Sequence, residues 1–284
     1  MGTGMKTPYL LLLPAFVSTV ATLGLCLVVL IVLSFSTQTY LDLSLGFDTA
    51  NYEKAIGSGL VLNLLGRSAV NAGLVTLMSV MLAYPIAYFI AFDLTRRKLL
   101  WLIIFTLPCW ISYLLRIISW KVILGYQGVI NTSLISANVV SEPISALLYS
   151  NSAVVIALTH AWAPFSILPI YVCLEKIDRS LMHASADLGD RPHRTFLRVV
   201  LPLSMPGVIA STILIFVPTF ADYVTPQLLG GPYGVMIGNF IAMQFGASNN
   251  WPLGATVALL GMLTATLIVC GVILTLRQSV RAIR

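Results

Sequence analysis

Arg116 and Asp222 stand where ionic side chains are expensive. Each lies within or at the end of an apolar run. An ionic group inside a membrane is rare and usually faces the interior of a helix bundle or a water-filled path. A carboxylate at Asp222 could receive a cationic solute, with aromatic faces at Trp110, Tyr113 and Tyr223 adding cation–π attraction. An ion pair between Arg116 and Asp222, or a snorkelling end residue, would use the same charges for structure alone. The usual reactive sets are missing around them: there is no CxxC or HExxH spacing, Walker-type phosphate loop, GxSxG elbow or acidic metal loop. Cys26, Cys109, Cys173 and Cys270 fall in or beside apolar segments, where cysteine behaves as a small hydrophobe. His160 has no carboxylate at helical spacing and reads as a packing histidine. Nothing here does chemistry alone, so catalysis and energy must come from elsewhere.

The elements that position these residues are apolar spans. With 58% hydrophobic and 9% charged residues and a mean hydropathy of +0.94, the 284-residue chain lacks the polar surface of a soluble protein. A transmembrane helix needs about 20 apolar residues to cross a core of about 30 Å. Runs of that length recur between charged breaks. They predict an all-α polytopic membrane protein, one domain over 1–284, with six helices at about 9–36, 68–92, 99–124, 152–174, 206–229 and 253–276. The first run is too long for a signal-peptide core and reads as a retained anchor. Lys6, Arg96, Arg97, Lys98, Lys176, Arg179, Arg191, Arg194, Arg198, Arg277, Arg281 and Arg284 fall on one face of this arrangement, 12 of 16 basic residues. The positive-inside rule makes that face cytoplasmic, with both termini on it, and explains the net charge of +6 without nucleic acid.

One connection differs from the rest. Residues 175–205 carry five basic and four acidic residues, too much for a turn between two crossings. Ile177, Leu181, Ala184 and Leu188 recur at helical spacing and predict a short amphipathic helix. Gly189 stops it, and Asp190 and Pro192 open a second helix to about Val200, with Phe196, Leu197 and Val200 on its apolar side. Pro202 and Pro206 then lead back into the membrane. Such a helix-turn-helix could lie on lipid headgroups, cap the bundle, or dock a soluble partner; its charges are mixed in sign rather than predominantly basic, unlike a lipid-surface helix.

The run Ala184-Ser-Ala-Asp-Leu-Gly189, followed by Val199-Val-Leu-Pro202, resembles the EAA loop of binding-protein-dependent ABC importer permeases, E-A-A-x3-G-x9-I-x-L-P. His183 stands at the family's glutamate and Ser185 at its second alanine. A polar contact made by that glutamate is therefore altered, and His183 offers a pH-sensitive substitute or merely a solvated surface histidine. Leu107-Pro108, Trp110, Ser112 and Leu115-Arg116, then Asp222-Tyr223 through Gly231, Ile237-Gly-Asn, Gln244-Phe245 and Trp251 to Ala255 look like the spermidine/putrescine branch.

The resemblance implies a type I importer permease fold in a bacterial inner membrane. The partners it implies are a second homologous permease, two copies of an ATPase and a periplasmic solute-binding protein. No cofactor is implied for this chain, because ATP and Mg would be used by the ATPase. The coupling residues carried over are His183, Ala184, Ser185, Asp187, Leu188, Gly189, Asp190, Arg191 and Pro202. Relatives of the same architecture carry amino-acid-like or opine-like solutes. A secondary transporter or channel would be expected to show inverted repeats or a midplane ionisable cluster, and an intramembrane enzyme a nucleophile–base pair; neither is recognisable in this chain.

Overall fold

The computed structural model describes residues 7–39 and 42–283. Lys6 and Arg284 lie outside the described residues, as do the side chains of Arg277 and Arg281, so their part in the charge asymmetry is not seen. Five helices are long and apolar enough to cross a membrane: Leu13–Ser34, Gly59–Asp93, Asn151–Glu175, Pro192–Phe220 and Trp251–Leu276. A sixth crossing is a broken pair, Lys98–Trp110 with Tyr113–Ile123, bent by 81°.

The chain divides into two compact units. The first holds the residues to Leu62 and Phe240–Met262. Helix α1, Thr7–Ser34, leads into two three-residue antiparallel strands, β1 (Thr37–Thr39) and β2 (Asp42–Ser44), and then into α2, Ala50–Gly57. These strands are a small departure from an all-helical chain. Gln38 links this hairpin to the start of the last helix: its Nε2 donates to Asn249 O at 2.7 Å and its Oε1 accepts from the Trp251 amide at 3.1 Å.

The second unit, Asn63–Asn239 with Leu263 onward, is the helix bundle. It contains most of α3 (Gly59–Tyr88), α4 (Lys98–Thr106), α5 (Tyr113–Ile123), α6 (Val129–Ser136), α7 (Asn151–Glu175), α8 (Arg179–Asp187), α9 (Pro192–Thr195) and α10 (Leu201–Phe220). Helices α11 (Ile237–Phe245) and α12 (Trp251–Ile283) complete the chain. At the centre α7 packs against α10. A Cβ on Gly207 would meet Pro169 O at 2.6 Å and Ile170 Cα at 3.0 Å, so only glycine allows this approach. Polar side chains bridge these helices to each other and to α3. Asn71 and Asn151 exchange amide bonds at 2.7 and 2.9 Å, the Tyr84 and Ser204 hydroxyls meet at 2.7 Å, and Ser211 Oγ donates to Ser166 O at 3.2 Å. Two apolar clusters fill the remainder, one around Ile117, Leu158, Ile215 and Leu229, the other around Ile90, Leu102, Ile170 and Leu174.

Three sequence boundaries are corrected. The third helix is not continuous over 99–124: Pro108 opens a 3-10 turn, Leu107–Trp110, and Ile111 and Ser112 are extended, because proline supplies no amide to continue the helical ladder. The fifth does not run over 206–229. It ends at Phe220, and a separate π-helical turn, Pro226–Gly230, follows. Nor is the second limb of the 175–205 loop a separate helix. α9 passes through a π-helical turn, Phe196–Val200, directly into α10, so Pro202 and Pro206 sit inside one long element. The amide that Pro202 lacks is accommodated by that local widening.

Candidate functional site

The loop is assembled from its caps. Asp178 accepts the Ser180 amide at 2.9 Å and so starts α8. Ser180's amide and hydroxyl together hold the Asp178 carboxyl below the usual carboxylate range. At the other end Gly189 takes φ +86°, its amide donates to Ala186 O at 2.9 Å, and the Asp190 amide donates to Ser185 O at 3.1 Å. This pair of bonds is a Schellman stop, in which the left-handed residue satisfies the last carbonyls. A Cβ on Gly189 would meet nothing within 4 Å, so the demand for glycine is conformational, not steric.

The two limbs are then fastened to each other. Ser185 is buried, and its Oγ lies 3.0 Å from Thr195 Oγ1 and donates to Asp190 Oδ2 at 3.1 Å. Asp190 Oδ1 accepts from Arg198 at 3.1 Å. Ser185, which departs from the family's alanine, is thus the buried knot of the hairpin. Thr195 and Asp178 were not singled out from the sequence. An aspartate just before an amphipathic run is a readable cap signal for Asp178, whereas the partner of Ser185 depends on how the limbs fold together.

Apolar side chains point the other way. Leu188 is 88% exposed, and Leu181 and Leu197 are also exposed, as are His183, Ala184, Asp187 and Arg191. The predicted stripe is therefore divided: Ile177 is buried in the cluster around Ile90 and Leu102, Leu181 is half covered by this chain, and Ala184 and Leu188 are exposed. On the second limb Val200 is buried, and Pro202 is buried within α10.

At the opposite end of α10, Asp222 follows the last helical turn and caps the next element. Its Oδ1 accepts from the Val224 amide at 3.2 Å, and its Oδ2 accepts from the Tyr113 hydroxyl at 2.8 Å and the Thr225 amide at 3.4 Å. The Tyr113 hydroxyl also meets Thr225 Oγ1. Asn239 supports the turn, donating to Tyr223 O at 2.7 Å. A Cβ on Gly238 would strike Ala221 O at 2.5 Å and Asp222 O at 2.7 Å, so α11 begins in direct contact with this carboxylate's backbone. Thr225 and Asn239 lie within the runs that resemble the spermidine/putrescine branch, but nothing in the sequence assigned them to this turn.

Arg116 does not pair with Asp222. It is buried, its Nη1 donates to Ala161 O at 2.9 Å, its guanidinium lies 6.0 Å from the centre of the Tyr113 ring, and its Nε has no partner among the described residues. The face of Tyr113 is therefore already turned to a cation of the chain itself. Asp222 and Tyr113 come together, Tyr223 follows Asp222 in sequence and is half exposed, and Trp110 is 87% exposed on the broken third crossing. His160 accepts from Trp120 Nε1 at 3.1 Å, consistent with a packing role.

The fold and the loop define a membrane component of a transport system. The chain belongs to the family described as binding-protein-dependent transport system inner membrane component, whose model matches residues 55–282. It is therefore a multi-pass inner-membrane permease, not an enzyme. It is 38% identical over 198 residues, 69% of both chains, to the spermidine/putrescine transport system permease protein PotB of Haemophilus influenzae. It is 34% identical over 213 residues to the Escherichia coli K12 protein of the same description, covering 75% of this chain and 77% of that one. Its fold is that of a chain in the crystal structure of a bacterial ABC transporter that imports the acidic polysaccharide alginate. The TM-score is 0.74 over 98% of this chain and 96% of the other, at 16% identity.

Proposed function

We propose that this chain forms half of the translocation path of an ATP-driven polyamine importer and is driven through the 175–205 hairpin by a separate ATPase. The observation that carries the reading is an inverted hairpin. Its polar residues Ser185, Thr195 and Asp190 are bonded inward while Leu188 and Leu181 face outward. A leucine left in water forgoes about 1.5–3 kcal/mol of burial, which a cleft on a partner can recover. The internal bonds make the hairpin stiff enough to transmit a push.

On this reading both termini and the hairpin are cytoplasmic, with His183, Asp187 and Arg191 forming the polar rim of the contact. Two ATPase subunits bind and hydrolyse ATP with Mg, a second homologous permease completes the path, and a periplasmic protein delivers the solute. Spermidine and putrescine are the first candidates because the relatives at 33–38% identity are named for them. Asp222 then offers its carboxylate to an ammonium group. Its two amide donors are long, at 3.2 and 3.4 Å, so an incoming cation competes for an acid that is held but not saturated. Tyr113 and Tyr223 flank it. Trp110 and Arg116 belong to the same path, with Trp110 open to a neighbour and Arg116 holding Tyr113.

The test is capture of the complex through a tag on this chain, followed by reconstitution with spermidine outside and ATP inside. Co-purification of an ATPase and ATP-dependent spermidine uptake are expected. Uptake that follows an ion gradient without ATP contradicts the proposal.

A further inference from the structure

The hairpin is fastened to the bundle at a point that the transport reading leaves without a role. α3 ends in the π-helical turn Phe89–Asp93, whose last carbonyls have no intrahelical donors. Ala91 O accepts from Lys98 Nζ at 2.8 Å and from Arg179 Nη2 at 3.3 Å, and Phe92 O accepts from Arg179 Nη2 at 2.9 Å. Lys98 is held in turn by both oxygens of Glu175, at 3.0 and 2.9 Å. Lys98 opens α4, Glu175 closes α7 and Arg179 opens α8, so three elements converge on the end of a fourth. Cations near a helix C-terminus are favoured by the dipole, and one would suffice as a cap. The second comes from the hairpin.

Its position matters because of what lies beside it. Between α7 and α8 only residues 176–178 intervene, and they are not helical. A three-residue joint lets the hairpin pivot about the end of α7; its second limb runs on into α10, but the joint itself passes no displacement to α3. Ile177, buried in the cluster that contains Ile90 and Leu102, fixes one side of the joint, and Arg179 fixes the other. We infer that Arg179 is a positioning residue: its bonds to Ala91 and Phe92 make the hairpin and the end of α3 one body, so that displacement of the hairpin is delivered to the second span directly. This rests on the coupling reading above.

The experiment uses the whole complex captured through this chain in nanodiscs, with spermidine as the transported probe. In Arg179→Gln, spermidine moved per ATP hydrolysed is expected to fall about fivefold, the lower range of usual coupling effects, with the ATPase still bound. Arg179→Lys recovers most of it, because an ammonium still reaches a carbonyl; a cap needed only for stability would change the melting temperature and leave the ratio alone. Spin labels at the exposed positions Thr95 and Arg194, in a chain freed of its four cysteines, report the joint itself. Their separation should be the same with and without ATP in the otherwise unaltered chain, and should change with ATP in Arg179→Gln. An unaltered chain whose separation changes with ATP, or an Arg179→Gln complex that couples normally, overturns the inference. Leu188→Ala separates the two levels. If it too couples normally, the hairpin is not the drive and both readings fall; if it uncouples while Arg179→Gln does not, only the role of Arg179 falls.

Discussion

The hairpin and the Asp222 turn are both built by polar caps at helix ends, yet they use their polar groups in opposite ways. In the hairpin the hydroxyls of Ser185 and Thr195 and the carboxylate of Asp190 are spent on one another, and the leucines are left outside. At the Asp222 turn the carboxylate is partly free, held by a phenol and two long amide contacts. The first arrangement is a rigid piece waiting for an apolar partner surface. The second is an acid kept in position and able to take another donor. On the proposed reading, one region receives force and the other receives solute.

That contrast can be broken at several points. Gly189→Val has the largest expected effect. A β-branched residue at φ +86° carries a strain of about 1–2 kcal/mol, enough to shift the hairpin out of its transmitting shape by about fivefold to thirtyfold. Spermidine uptake should collapse while the complex melts at its normal temperature. Normal assembly with normal substrate-stimulated ATP turnover would show that the turn is not needed. Leu188→Ala removes the most exposed apolar contact and should weaken retention of the ATPase by about tenfold, measured by dissociation of the purified complex.

Asp222→Asn sharpens the other side of the contrast. It keeps the cap geometry and removes the charge, so uptake of spermidine should fall by about fivefold while a neutral analogue is spared. Equal loss for both would make Asp222 a structural cap only. The smallest effect concerns pH. Asp178 is held below its ordinary value, so its contribution to α8 is complete above that value and is lost only as pH falls through the lowered one. Asp178→Asn and the unaltered chain should therefore show parallel coupling profiles between pH 5 and 8, and diverge only in more acidic medium.

Much of this was legible in the sequence. The apolar runs were, because a bilayer forces an unbroken stretch of about 20 residues. Gly189 was legible too, because a positive φ after a helix has a strong residue preference. The break at Leu107–Ser112 was not. Pro108 signalled a perturbation, but prolines at 85, 164 and 169 lie inside helices that continue, so the type alone does not separate a kink from a break. The status of Arg116 was also hidden. Whether a buried guanidinium meets a carboxylate or a carbonyl depends on which helix faces it, and here that is α7, through Ala161 O. Ser185 looked like a loss from the family pattern, and its gain appears only once Thr195 is folded against it.

The most direct measurement is photocrosslinking from position 188, with a benzophenone amino acid in place of Leu188, in membranes containing the assembled complex. A single covalent adduct to an ATP-hydrolysing subunit is the result expected of a hairpin that docks to its motor. Adducts to lipid alone, or to the partner permease alone, would contradict it.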